Sequence, residues 1–598
     1  MSQMSKITAD LPEWSLADLY ADRADPRIEA DIAAARAAND TLAALEGQFL
    51  AARGDPAMLG ELIDRGIRLY EQATDGLWAV GAYASLAAST ARDDPRWAKF
   101  EADFRMKSAE IASRSLFFTL ELNQLEDGEI ASALEAHPAA ARWAPWLRRV
   151  RLSRPHELSQ ELESLLLDRS PAVANWGRLY DETLARLVAR VGRDRLTLPE
   201  TLNRLSDPDA KRRKAAANGL AEALEERSAT LGLCLNTIAL EKQVEDRWRR
   251  YESPAHGRHL ANEVHAESVE AMVEAVTEAY AATSHHYYAL KARVLGKKTL
   301  DHWDRNAPLT AAQPRLYDWR EAKGIVLESF SALAPKFADG ARVFFERPWI
   351  DARPRPGKSS GAYSHPVTAG RHPYVFMNYM GERRDVLTLA HELGHAVHQT
   401  LAAPLGTLLA DTPLTLAETA SIFGEGLVFE RLLAEARPEE KLGLLAGRIE
   451  DGLNTVVRQI AFHQFETRFH DARQAGELSP DELGGLWLEV MGASLGPAVR
   501  LNPGYEHYWA YVSHFVHAPF YVYAYAFGDL LVRALMEKRR EDPQGFAPVY
   551  ERLLAAGGTR TYVEALEPFG LDPRQKSFWA AGCAGIERLV DEFDALVK

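Results

Sequence analysis

"LTLAHELGHAVHQT", residues 387–400, places His391, Glu392, His395 and His398 on the polar side of an otherwise apolar helical stretch. Side chains four apart on a helix share a face, so His391 and His395 point the same way and both can offer an imidazole nitrogen to one cation. Glu392 sits beside that face. In the zinc hydrolase use of H-E-x-x-H this glutamate is not a ligand; it moves a proton from the attacking water to the leaving amine. Val386, Leu387, Leu389, Ala390, Leu393 and Val397 supply the apolar side that buries the helix. Gly394 is costly inside a helix and signals close packing against a neighbouring element.

A catalytic zinc takes three protein ligands and keeps one position open. The extended pattern with a third histidine is absent, because Leu401 and Ala402 occupy that region. The third ligand therefore comes from elsewhere. In "LTLAETASIFGEGLVFERLL" (414–433), Glu418 lies among Leu416, Ala417 and Ala420 on a second predicted helix, with Ser421 and Glu425 further along the same side. A carboxylate there is expensive unless paired or coordinated, which makes Glu418 the stronger candidate and Glu425 the other. His398, one turn past His395, reads as a packing histidine or an outer partner of the ligands.

Outward from this region the chain reads as mostly α. The first two hundred residues are rich in Ala, Leu, Glu and Arg, with apolar positions recurring at three and four residues, as in "RLYEQATDGLWAVGAYASLAAS" (68–89). A change of character near residue 200 predicts a domain boundary, dividing 1–200 from 201–598. The helix after it is expected to start with Ser206 or Asp207 as N-cap and Pro208 in its first turn. Helices then continue to about residue 340, with "YESPAHGRHLANEVH" (251–265) read as loop. Between Ala341 and Tyr379 the period changes: "HPYVFMNY" (372–379) fits a strand and "GKSSGAYS" (357–364) a turn between strands.

The 598 residues are 47% hydrophobic and 26% charged, an ordinary globular composition that excludes a disordered or fibrous protein. A net charge of −15 argues against nucleic acid and anionic membranes as partners. The one basic run, Lys211–Lys214, reads as a solvated helix face. Cys234 and Cys583 lie in apolar surroundings and cannot form a disulfide framework, which points to two buried thiols and a reducing, cytoplasmic compartment. The start "MSQMSKITADLPEW" has no apolar signal core, and no membrane span is expected.

"HELGHAVHQ" and "AETAS" resemble the metal motif and third-ligand segment of the oligoendopeptidase F and thimet oligopeptidase family of zinc metallopeptidases. "KSSGAYSHP", "HPYVFMNYMGERRDVLTLAHELGHAVH", "LPEWSLADLY" and "SHFVHAPFYVYAYAFGDLL" are similar to the oligoendopeptidase F version, so the likeness spans nearly the whole chain. The resemblance implies an elongated helical peptidase with a deep substrate channel, a lid-like N-terminal helical part and a small β-sheet beside the zinc-binding helix. It implies one zinc ion on His391, His395 and Glu418, with Glu392 as general base. Short unstructured peptides would be the substrates, cut internally, and the "HPYVFMNY" strand would pair with their extended backbone.

Thirteen of the twenty-three residues from Tyr505 to Phe527 are aromatic or His. Trp509, Phe515 and Phe527 read as core. Amide hydrolysis develops negative charge on the carbonyl oxygen, for which Tyr hydroxyls and a His N–H are suitable donors. By similarity His517, Tyr521 and Tyr525 fill that role, with His514 and Tyr523 as further candidates. A carboxypeptidase would use the same zinc chemistry with an added group for the substrate C-terminus. A non-catalytic peptide-binding scaffold would lack the base or a ligand, and all four positions are filled here.

Overall fold

Asp55 accepts a hydrogen bond from the Met58 N–H at 3.1 Å, and Pro56 fits the first turn, so a helix starts there and runs for 34 residues. The computed structural model describes residues 10–309 and 315–598. The N-terminal stretch read for a signal core lies in part, at residues 1–9, outside the described residues. In chain order the long helices α1 (Pro26–Ala43) and α2 (Pro56–Ser89) precede the strands β1 (Val188–Val191) and β2 (Asp194–Thr197). Helices α3 (Ala210–Glu225) and α4 (His256–Ala261) follow, then strands β3 (Leu300–Asp301), β4 (Ile350–Asp351), β5 (Tyr363–His365) and β6 (Tyr374–Phe376). Helices α5 (Arg383–Ala402), α6 (Thr419–Glu435) and α7 (Arg458–Arg473), strand β7 (Val499–Arg500), and helices α8 (Tyr523–Glu541) and α9 (Lys576–Val597) complete this series. The protein is mostly helical, with only small sheets.

The chain divides into two units. The first combines the described residues of Met1–Arg154 and Pro314–Ala434 with Lys538–Gly570. Ile28, Ile32, Val80, Tyr83 and Leu86 share one apolar core with Val367 and Tyr374, so the N-terminal helices and the strand region fold together. A second core joins Phe49, Ile63, Phe118 and Trp143 to Leu408 and Leu409. Backbone bonds from Ser15 to Pro348 and from Ala352 to Pro12, both 2.9 Å, tie the first segment alongside β4.

The second unit combines Pro155–Gln313, Glu435–Glu537 and Leu571–Lys598, again for the described residues. The boundary expected near residue 200 falls inside it. Its first strands form a hairpin unforeseen from sequence, with Val188 opposite Thr197 and Gly192 at φ +65° in the turn. A Cβ on Gly219 of α3 would run into the Arg190 carbonyl oxygen, so a glycine lets the helix lie against β1. The N-cap of α3 is Asp209, not Ser206 or Asp207. Of the basic run that follows, Lys211, Arg212 and Lys214 are exposed as expected, whereas Arg213 is buried and pairs with buried Asp304 at 2.7 Å. The stretch read as loop contains α4, whose weak helix formers are held by bonds described below. Cys234 and Cys583 are free and buried.

The small sheet of the first unit has the order β4-β6-β5. Val375 of β6 faces Ile350 in parallel and Ser364 in antiparallel register. "HPYVFMNY" is thus a strand, but a central one whose two edges are taken, so it cannot add a substrate strand. Among the described residues β5 is the edge strand next to it, and part of the expected turn is this strand. No helix among the described residues is long and apolar enough to cross a membrane.

Candidate active site

Glu382 caps α5, its backbone N–H donating to Asp385 at 2.9 Å, and Asp385 also accepts from the Met380 N–H at 2.8 Å. Val386, Leu389, Ala390, Leu393 and Val397 are buried along one side, as the spacing predicts, together with Ala396, whereas Leu387, read with that side, is half-buried. Gly394 meets α6 there. A Cβ at 394 would strike the Ala420 carbonyl oxygen and stand 2.7 Å from the Ser421 Cα. Gly424 on the other helix faces back across the contact: its Cβ would lie 3.2 Å from the Ala390 carbonyl oxygen and 2.9 Å from the Phe330 ring. Two glycines therefore let α5 and α6 approach at backbone distance, and this brings Glu418, at the turn before α6, to the histidines.

The Nε2 atoms of His391 and His395 each lie 3.4 Å from Oε2 of Glu418. Two donors at about 2.0–2.1 Å from one tetrahedral ion stand about 3.3–3.4 Å apart, so this trio fits zinc in donor type and spacing. Among the described residues it is the cluster that could hold a metal, its ligand atoms all within 4.8 Å of one another. Glu425 is placed differently: its Oε2 faces the other nitrogen of His391, Nδ1, at 3.5 Å, which orients the ring from behind. Ser421 donates its hydroxyl to Glu418 Oε2 at 2.6 Å. His398 is buried and donates to the backbone carbonyl of Ala417, next to Glu418.

The electrostatics follow from this crowding. Burial works against the Glu418 anion, but His395, His391 and the Ser421 hydroxyl bring its pKa down to about 2. Burial also opposes a charged His391, yet Glu425, Glu418 and Glu392 hold it above the usual value. Glu392 is buried, and that burial raises its carboxyl while His391 and His395 pull the other way. The Ser364 backbone N–H of β5 is bonded to this carboxyl. Gln399, two turns along α5, accepts from the Ser364 hydroxyl at 2.9 Å, so the edge strand is fastened to the helix.

His514, His517, Tyr521, Tyr523 and Tyr525 belong to the second unit. His514 Nε2 is 3.1 Å from the Tyr525 hydroxyl, and the Tyr521 and Tyr525 rings meet edge to face at 5.3 Å. His517 bonds to Asp181 at 2.7 Å. Tyr523 is separated from this group: its ring is buried, and its hydroxyl bonds to His259 at 2.9 Å and Asn262 at 3.0 Å. Tyr525, by contrast, is 40% exposed. Trp509, Phe515 and Phe527 are core, as read. Ser364, Gln399 and Asp181 were missed, because their partners are remote in sequence and no local pattern marks them.

Residues 327–585 match the model of Peptidase family M3, and residues 121–188 match that of Oligopeptidase F. The chain belongs to peptidase family M3. It is therefore a peptidase, a hydrolase. "Oligopeptidase PepF" of Bacillus subtilis is 24% identical over 82% of this chain and 74% of its own length. "Oligoendopeptidase F homolog" of Lactococcus lactis is 28% identical over 64% of both, so this chain spans just under two thirds of that relative. In fold the chain is similar to a crystal structure of oligoendopeptidase-F from Enterococcus faecium, with a TM-score of 0.68 at 21% identity, covering 96% of this chain and 97% of that one.

Proposed function

We propose that this M3 peptidase is a zinc-dependent endopeptidase that hydrolyses internal bonds of short, unstructured oligopeptides. The observation that carries the reading is the 3.4 Å spacing of the His391 and His395 nitrogens from one Glu418 oxygen, with Glu392 on the next residue of the same helix. A zinc ion held by these three residues supplies Lewis-acid polarisation of the scissile carbonyl and acidifies the attacking water. Glu392 accepts that water's proton and delivers it to the leaving amine; its raised carboxyl suits both halves of the transfer. Glu425 and Ser421 keep His391 and Glu418 oriented. His517, Tyr521 and Tyr525 donate hydrogen bonds to the oxyanion, a role that rests on the resemblance.

The deep channel that the resemblance implies would exclude folded proteins and limit substrates to single extended strands. Two unpaired buried thiols favour the cytoplasm, and the net charge of −15 favours neither nucleic acid nor membrane. The test combines metal analysis with mass spectrometry of digests. One zinc per chain, loss of activity with a chelator and its return with zinc are expected. Internal cuts in disordered peptides of roughly 5–20 residues, each spanning about 3.3 Å per residue, should accompany survival of folded proteins. Full activity in metal-free protein refutes the reading, and release of C-terminal residues alone would favour a carboxypeptidase.

A further inference from the structure

Between His517 and Tyr525 the backbone makes a turn that no local preference explains. Phe520 sits at φ +60°, the left-handed region that favours glycine, although its side chain is aromatic and buried. Such a conformation persists only where surrounding groups over-determine it. Three ties do so. The Phe520 N–H donates to Glu466 Oε1 of α7 at 2.7 Å. Arg258 of α4 donates to the Pro519 carbonyl at 3.3 Å, with its guanidinium 5.5 Å over the Tyr521 ring. His259 and Asn262 hold the Tyr523 hydroxyl.

Glu466 is the costly member of this set. It is buried, burial pushes its carboxyl up to about 8, and Oε2 has no hydrogen-bond partner among the described residues. Lys242 and Arg258 act on it only as more distant charges, and the rings around the turn are those of His463 and His470. An apolar residue would avoid this cost but would leave a buried backbone N–H without a partner. The chain that follows that N–H carries Tyr521 and Tyr525.

We infer that Glu466 is a positioning residue for the hydrolysis: by accepting the Phe520 N–H it fixes the strained turn that aims Tyr521 and Tyr525. This rests on the proposed function, in which those two hydroxyls meet the oxyanion. Glu466→Met fills the same space without an acceptor, and Glu466→Gln restores one. With zinc content and melting temperature recorded for each, the Met variant is expected to lose about 10- to 100-fold in kcat at unchanged KM, the order that misplacing a reacting group by an ångström costs. The Gln variant should stay close to wild type. In a Tyr525→Phe or Tyr521→Phe background the Met change should add far less, because it acts through the same hydroxyls.

Wild-type kcat in Glu466→Met, equal damage from Met and Gln, or fully additive losses overturn the inference. Should the Met variant fail to fold, hydrogen exchange of the wild-type Phe520 amide decides: strong protection supports the tie, and rapid exchange refutes it. If both Tyr→Phe changes leave kcat intact, the oxyanion assignment fails and this inference falls with it. If they impair kcat and Glu466→Met does not, only this inference fails.

Discussion

Gly394 and Ala420 touch with no room for a side chain between them: a Cβ on the glycine would strike the Ala420 carbonyl oxygen. Alanine would favour the helix by about 1 kcal/mol, but forcing backbone against a methyl costs about 1–3 kcal/mol. The obstacle is main chain and cannot rotate away. Gly394→Ala is expected to lower the melting temperature and to weaken zinc binding together, because separating α5 from α6 withdraws Glu418 from the histidines. Zinc titration and thermal unfolding check this; unchanged values for both would show that the two helices have slack.

The ligand and base roles separate by substitution. Glu418→Gln should lose metal, by more than the roughly 10–100-fold typical of removing an outer partner. Ser421→Ala, which deletes the 2.6 Å bond to Glu418, should fall within that smaller range. Glu392→Gln should retain zinc and lose turnover. Dialysis against a graded chelator, with metal measured per chain, distinguishes the three; normal zinc in Glu418→Gln would transfer the ligand role to Glu425.

For the tyrosines the structure divides the outcomes. Tyr521→Phe or Tyr525→Phe should lower kcat by about 10²–10³ with little change in KM, the usual loss for one oxyanion donor. Tyr523→Phe deletes a hydroxyl bonded to His259 and Asn262, so its main effect should be on stability, about 1 kcal/mol. Steady-state kinetics beside melting curves test it, and wild-type kcat at both 521 and 525 would remove the oxyanion role.

Stability should depend on pH through a histidine group in the second unit. Burial lowers His259 to about 4 and His463 and His470 to about 3. Between about pH 6.5 and those values the unfolded chain binds protons that the native state refuses, so acid destabilises, by about 1.4 kcal/mol per pH unit for each such histidine. Glu466 works in the opposite sense. Its carboxyl is raised from 4.5 to about 8, so over that window the native state holds the extra proton and stability falls as pH rises. The melting-temperature gain of Glu466→Gln over wild type should therefore grow from pH 5 to pH 8. A constant difference would mean that Glu466 is ionised in the native state.

The metal helix and its partner were legible because their signals are local. His391, Glu392 and His395 share one helix face, and Gly394 advertised its close approach by its helix cost. Glu418 was favoured over Glu425 because a carboxylate among Leu416, Ala417 and Ala420 needs a partner, but that Glu418 precedes α6 and faces Nε2 of both histidines while Glu425 faces Nδ1 of His391 is visible only in three dimensions. The hairpin at Val188–Thr197 escaped because its four-residue strands are stabilised by α3 lying on them. "HPYVFMNY" declared itself a strand, but its central place depends on Ile350 and Tyr363, which sit in Pro- and Gly-rich stretches. The start of α3 slipped to Asp209 because "SDPD" offers several competent caps in a row. Residue 200 marks a change of composition rather than a division of cores, since Val80 and Val367 share a core that composition cannot register.

The interleaving of the two units bears on how the chain is made. The first unit takes its last segment from Lys538–Gly570, and the second from Leu571–Lys598. A ribosome releases residues in order at about 5–20 per second, and a domain folds once its own segments are out. Here neither core can close early: the N-terminal helices wait for Tyr374 and Leu408, and the second unit waits for α9. Nascent chains will expose apolar surface through most of their synthesis, so a truncated product should be a chaperone client rather than a free-standing domain.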